Sequence, residues 1–187
     1  SHAMGFFAGI VAGKMTTTNS VGVIAAHEWQ PEVEGFFEGA KYQNNNILVH
    51  INYVNDWNDT SLALEMYEGM KKKNVDVIYP TGDAYSDKVI RRASNEGIYS
   101  IGYVSDQSAI DRSNVLTSTI QHVDKLYLFI ANLFQSGSLR GDKYTFDFQD
   151  DAISLGTYSE HIPDSFISKL EEDITTYKEM GLLPNEQ

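Results

Sequence analysis

The sequence predicts an α/β fold built on a mostly parallel sheet, and three observations predict it. Short apolar runs of strand character recur at residues 21–26, 47–54, 75–82 and 99–104. Segments with helical spacing fill the intervals, and parallel neighbours need crossovers of that length. Each run then ends in polar and aromatic residues: His27-Glu28-Trp29, Asn55-Asp56-Trp57, Thr81-Gly82-Asp83 and Ser105-Asp106-Gln107. Parallel sheets bind ligands outside the carboxyl ends of their strands. These four clusters therefore mark a candidate pocket, of residue types suited to holding a ligand more than to transforming one.

The elements follow in order. Residues 5–15 read as a glycine-spaced amphipathic helix carrying Phe6, Phe7, Ile10, Val11 and Met15, and 16–20 as a polar turn. After the first strand, Pro31 opens a helix at a position proline favours, with Val33, Phe36, Phe37 and Ala40 as its apolar face. Asp59 or Thr60 can cap a helix bearing Leu62, Leu64, Met66, Tyr67 and Met70. Residues 87–95 form the next helix, stopped by Gly97. Beyond residue 104 the rhythm changes. A strand at 114–120 leads into a helix with Val123, Leu126, Tyr127, Ile130, Leu133 and Phe134, ended by Gly137. Residues 144–148 and 153–158 alternate like antiparallel or edge strands. Pro163 then precedes a last helix, with Phe166, Leu170, Ile174 and Tyr177, that Gly181 caps.

Composition narrows the function. With 187 residues, 42% hydrophobic and 21% charged, the chain can bury a substantial core. Its 26 acidic against 14 basic residues give a net charge of -12, which disfavours direct contact with a nucleic-acid backbone. The one basic run, Lys71-Lys72-Lys73, suits the C-terminal end of a helix. No cysteine is present, so disulfides, thiolate metal sites and cysteine nucleophiles are excluded. No apolar run approaches the roughly 18 residues of a membrane span. Residues 1–4 read as a tag remnant, and 5–187 as one α/β domain.

Catalytic motifs are missing. The histidines, His2, His27, His50, His122 and His161, form no metal-spaced pair. There is no Gly-x-Ser-x-Gly elbow, phosphate loop or dinucleotide fingerprint, so neither cofactor nor metal is expected. His27 with Glu28 could act as an acid–base pair, but a strand-end hydrogen-bonding role is the commoner use. An enzyme built on Glu28 and Asp106 is the rival from another class. Trp57 and Trp29 occupy equivalent places in successive units. An indole at a pocket mouth stacks on planar rings, worth about 1–3 kcal/mol; the alternative is packing beneath a loop.

Five segments then carry a resemblance. They are Gly5-Phe6-Phe7-Ala8-Gly9, Val21-Gly22-Val23-Ile24-Ala25-Ala26, Pro31-Glu32-Val33-Glu34-Gly35-Phe36-Phe37-Glu38-Gly39, Ile101-Gly102-Tyr103-Val104-Ser105-Asp106-Gln107-Ser108 and Asn114-Val115-Leu116-Thr117-Ser118-Thr119. Together they resemble the basic membrane protein (BMP) family of substrate-binding lipoproteins, from Gly5 to about Gly181. Trp29-Gln30-Pro31-Glu32-Val33, Val75-Asp76-Val77-Ile78-Tyr79-Pro80, Ile101-Gly102-Tyr103-Val104 and Val123-Asp124-Lys125 look more like a regulatory member, a positive regulator of competence, than like the transporter receptors.

The resemblance implies a type I periplasmic-binding-like, three-layer α/β/α lobe. It would be the second lobe of a two-lobed protein whose first lobe and lipidated N-terminus lie upstream, at the outer face of the cell membrane. It implies a non-enzymatic ligand-binding role, with a nucleoside-like ligand and an unknown signalling protein as partners. Carried over residue by residue, Trp57 corresponds to an aromatic stacker, Gly82 and Asp83 to a glycine-rich strand end, and Asp106 and Gln107 to the family's Asp-Gln. With Trp29 these are the candidate ligand residues. Two positions depart. Val104 stands where receptors place a ribose-binding aspartate, and Gln121 where they place a lysine. Each charge-assisted hydrogen bond so lost is worth about 1.5–3 kcal/mol, which argues against tight nucleoside binding. The surface toward the first lobe, expected to include Phe6, Phe7, Trp29 and Trp57, predicts a homo-oligomer in concentrated solution.

Overall fold

The computed structural model describes residues 1–187. Six strands form one sheet: β1 (Ser20–Ala25), β2 (Leu48–Tyr53), β3 (Val77–Thr81), β4 (Tyr99–Val104), β5 (Val115–Gln121) and β6 (Ile153–Leu155). Their spatial order is β2-β1-β3-β4-β5-β6. The first five run parallel, and β6 closes the far edge antiparallel to β5, Gln121 opposite Ile153. β1 is an interior strand next to the β2 edge, with Val21 facing Val49 on one side and Val77 on the other. Every residue of β1 and β3 is buried, as expected of strands covered on both faces.

Two helical layers cover the sheet. On one face lie α1 (His2–Met15), α2 (Pro31–Gln43) and α6 (Asp164–Met180), whose apolar residues join Val21, Val23, Val77 and Tyr79 in the larger core. On the other lie α3 (Thr60–Lys71) and α4 (Ala84–Asn95), packed with Ile24 and Ile78 in a smaller one. This is the three-layer α/β/α arrangement. Local signals set the helix ends as the sequence indicates. Asp59 Oδ1 accepts from the Leu62 N–H at 3.0 Å, Pro31 occupies the first turn of α2, and Gly97 and Gly181 take φ of +72° and +71°.

Three expectations need correction. α1 is not amphipathic: it is buried all round from Ala3 to Gly13, because α2 covers the side that would otherwise face water. Phe6 and Phe7 are therefore wholly buried and belong to no exposed surface. The helix also begins at His2, with Ser1 Oγ accepting from Met4 N–H at 3.2 Å, and Met4 is fully buried. Thirdly, residues 144–148 join no strand. Tyr144 and Phe146 pack their rings on Phe129 instead, at 6.2 and 5.2 Å. Two 3-10 turns, Phe148–Asp150 and Pro184–Glu186, complete the chain.

α5 (Val123–Gln135) differs from every other helix, because none of its residues is buried. Tyr127, Leu128 and Phe134 are 68%, 64% and 73% exposed.

Candidate ligand-binding site

The strand order 2-1-3-4-5 reverses direction at β1, so the carboxyl ends of β1 and β3 flank the switch point where such sheets hold ligands. The chain delivers His27, Trp29, Gly82 and Asp83 to those two ends, and Trp57 to the end of β2 beside them. The rings meet. His27 stacks on Trp29 with centroids 5.2 Å apart and an interplanar angle of 8°. Trp57 stands edge-on to both, 5.1 Å from His27 and 5.7 Å from Trp29. Trp29 is 70% exposed, so the cluster forms a rim open to solvent. Trp57 is half-buried against the larger core.

Backbone bonds join this rim to the end of β3. The Trp57 carbonyl accepts from Asp83 N–H at 3.0 Å and from Ala84 N–H at 3.2 Å, at the start of α4. The Asp83 carboxylate makes no capping bond and lies exposed. Gly82 is required sterically, since a Cβ there would lie 2.2 Å from the Tyr85 ring. That ring is anchored by its hydroxyl, which donates to the Ile24 carbonyl at 3.1 Å.

Asp106 and Gln107 are brought to the end of β4 but are engaged with the protein. Asp106 accepts from Ser108 N–H at 3.0 Å and from Thr157 N–H and Oγ1 at 3.1 and 2.8 Å. Partial burial opposes its ionisation, yet these hydrogen bonds win and hold its carboxyl below the usual range. Gln107 Oε1 accepts from Tyr103 N–H at 2.8 Å, and its own N–H donates to Ser118 Oγ at 3.0 Å. Both side chains thus fix a tight turn. Within it Ser105 N–H reaches back to the Tyr103 carbonyl at 2.9 Å, across Val104 at φ +71°. A β-branched residue avoids that angle, and such strain costs about 1–3 kcal/mol. Gln121, the other departure, points its amide toward Met4 Sδ at 4.0 Å.

Beneath the rim lies a buried polar network that sequence reasoning missed. The β3–β4 ladder pairs only Val77 with Tyr99 and Ile78 with Ser100. Beyond it, Gln30 Nε2 donates to the Thr81 carbonyl (2.9 Å) and to Glu32 Oε1 (3.1 Å), and Tyr103 Oη donates to Glu32 Oε1 (2.8 Å). Burial, with Glu32 beside it, pushes the Tyr103 phenol well up, so it stays a donor. The Thr81 hydroxyl is buried without a partner. A signal for Glu32 was present: with Phe36 and Ala40 it continues the buried stripe of α2 at four-residue spacing.

Trp57, Gly82, Asp83, Asp106 and Gln107 line none of the four principal cavities. Trp29 borders one, a groove of about 520 Å³ between α2 and β2. No group of three or more His, Asp or Glu side chains is placed to hold a metal ion. No helix is long and apolar enough to cross a membrane.

The chain is 44% identical over 186 residues to the protein named transcriptional activator protein med of Bacillus subtilis, covering 100% of this chain and 59% of that one. It is 30% identical over 162 residues to basic membrane protein D of Borreliella burgdorferi, covering 83% and 48%. Among solved structures, a transcriptional activator of the comK gene from Bacillus halodurans superposes with a TM-score of 0.93 at 45% identity, covering 98% of this chain and 65% of that one. An ABC transporter solute-binding protein from Conexibacter woesei superposes at 0.73 with 18% identity, covering 98% and 63%. The chain thus spans about half to two thirds of the length of these proteins. The family model described as ABC transporter substrate-binding protein PnrA-like matches residues 1–187, and this chain belongs to that family, Bmp.

Proposed function

We propose that this chain is the ligand-facing second lobe of a two-lobed, non-enzymatic regulatory protein that promotes competence-gene transcription indirectly. The observation that carries the ligand part is the His27–Trp29–Trp57 rim at the sheet's switch point, tied by backbone bonds to Gly82 and Asp83. Two indoles set edge to face beside a free carboxylate suit a planar, hydrogen-bonding molecule such as a nucleoside. The 44% identity to an activator supports the regulatory part. The net charge of -12 favours action through another protein over promoter contact. In this reading the preceding lobe supplies the opposite wall of the pocket and carries a lipid anchor at the cell membrane, as the basic membrane proteins' name suggests.

Absence of catalysis fits what the strand-end carboxylates do. Asp106, the carboxylate that an enzyme built with Glu28 would need, is taken up by Ser108 and Thr157. The test is a calorimetric titration of guanosine, adenosine and inosine into the two-lobed protein without its anchor. With Val104 and Gln121 in place of the charged receptor contacts, saturable binding weaker than a Kd of about 10 µM, near -7 kcal/mol, is expected, and a tighter one would mean that the pocket still reads purines as a transport receptor does. No heat with any of the three would remove nucleosides from the account.

A further inference from the structure

The outer edge of the sheet is open along β2, where the one lysine bond, from Lys41 Nζ at 2.5 Å, goes to the Ile47 carbonyl just before the strand. In a parallel ladder alternate residues turn their backbone groups to one neighbour. Leu48 N–H donates to the Asn19 carbonyl at 2.7 Å and Val54 N–H to the Ala25 carbonyl at 2.8 Å, so the even-numbered residues face β1. Val49, Ile51 and Tyr53 therefore present their N–H and C=O groups outward, and no protein group bonds them. Proteins usually blunt such an edge with lysine, proline, a bulge, a very short strand or a covering element. The opposite edge follows that rule, since β6 has only three residues. β2 has six, Leu48-Val49-His50-Ile51-Asn52-Tyr53, with no proline, lysine or carboxylate, and its register with β1 is unbroken. Burial and nearby Lys73 hold the His50 imidazole below its ordinary value, so the strand is uncharged at pH 7. Leu48 is 61% exposed.

Beside this edge lies the groove of about 520 Å³, to which β2 contributes Ile51 and Tyr53. Trp29 and Phe37 form its exposed aromatic wall. Glu28 and Glu34 stand in its lining, exposed, and neither makes an ion pair or a side-chain hydrogen bond. Unpaired carboxylates next to an indole face are the chemistry that receives a lysine or arginine side chain.

We propose that β2 and the adjoining groove dock an extended, basic segment of a partner protein, added to the sheet as a seventh strand. The partner's backbone takes the free groups of Val49, Ile51 and Tyr53. Its alternate side chains, basic ones, fall between Glu28 and Glu34 over Trp29. Charge favours this occupant over a second copy, because two chains of net charge -12 repel each other and the cations near this edge, Lys41 on the Ile47 carbonyl and Lys73 beside His50, stand away from the Glu28 and Glu34 carboxylates that would receive the basic side chains. This deepens the proposed indirect action and rests on that part of it, but not on the ligand. Nucleoside titration reads the rim and peptide titration reads the edge, so either can fail alone.

The test uses a blocked seven-residue peptide alternating lysine or arginine with valine. Controls are its glutamate counterpart and a version with proline at the valine positions. Titration into the 187-residue chain is followed by calorimetry and by residue-resolved amide hydrogen exchange. The basic peptide is expected to bind, to slow exchange at Val49, Ile51 and Tyr53 at least tenfold, and to leave α3 and α4 unchanged. Both control peptides should bind at least tenfold more weakly, as should the basic peptide on a Glu28→Gln/Glu34→Gln chain; both residues are exposed, so that chain should fold normally. Binding without protection of those three amides overturns the proposal. So does no binding at millimolar peptide, equal binding by the double variant, or protection of β2 in the free chain by a dimer seen in sedimentation.

Discussion

At the scale of single residues, Val104 holds a β-branched side chain at φ +71°, at the position where the family resemblance implies a receptor's ribose-binding aspartate. Aspartate tolerates the left-handed region better than valine does. Val104→Asp should therefore ease the turn and restore a ribose-binding carboxylate together. In the two-lobed protein we expect nucleoside affinity to rise at least tenfold by calorimetry, with no fall in melting temperature. Tyr103→Phe removes a charge-assisted hydrogen bond from the buried Glu32 carboxylate and should cost about 1.5–3 kcal/mol in urea denaturation. Two carboxylates set an acid limit. Asp106 is held below its ordinary value by Ser108 and Thr157 against the opposing effect of burial, and Asp111 chiefly by the hydrogen bond from Ser94. A depressed folded value means stability fully present above the unfolded value, about 3.9, and lost as pH falls through the folded one. Thermal denaturation between pH 5 and about 2 should show this loss, and Asp111→Asn should flatten it. How a residue is used was less legible than where it sits. The strand-end positions of Asp106 and Gln107 are readable from the run before them. That their side chains are spent on Ser108, Thr157 and Tyr103 depends on contacts up to 51 residues away.

At the scale of elements, α1 and α2 meet backbone to backbone. A Cβ on Gly39 would lie 1.9 Å from the Phe6 carbonyl oxygen, and one on Gly5 would lie 2.0 Å from that of Glu32. The obstacle is main chain, so Gly39→Ala must push the helices apart. It should cost about 1–3 kcal/mol in urea denaturation, whereas Gly69→Ala on α3, with open space around it, should not destabilise. The four-residue spacing of Gly5, Gly9 and Gly13 is plain in the sequence, but its meaning was not. A helix lined on one side by glycine looks half-polar to a periodicity argument, although here that side is its closest contact. The strands were legible because their apolar runs are short, bounded and regularly spaced. Residues 144–148 were misread because alternation reports only a potential strand, and here Tyr144 and Phe146 spend their rings on Phe129 of α5 instead.

At the scale of the whole molecule, the six-stranded sheet and its two cores pack as one α/β unit, while α5 contributes no buried residue to it. Exposed apolar surface of this kind drives self-association. We expect the 187-residue chain to self-associate at tens of micromolar in sedimentation. Leu128→Glu with Phe134→Glu should return it to monomer without lowering its stability; a monomeric starting chain would remove α5 from that role. The expected oligomer thus keeps its basis in exposed apolar surface, with α5 in place of Phe6 and Phe7.

The central claim is that the rim of His27, Trp29 and Trp57 faces a ligand, and the composition offers a direct reporter. The chain has two tryptophans, and both stand in that rim. The decisive measurement is tryptophan emission from the two-lobed protein, in a form without further tryptophans, during titration with inosine, repeated on Trp57→Ala. The account predicts a saturable change that tracks the calorimetric isotherm, and an affinity at least tenfold weaker in the variant. Saturable heat with unchanged emission, or equal affinity in Trp57→Ala, would place the ligand elsewhere and contradict it.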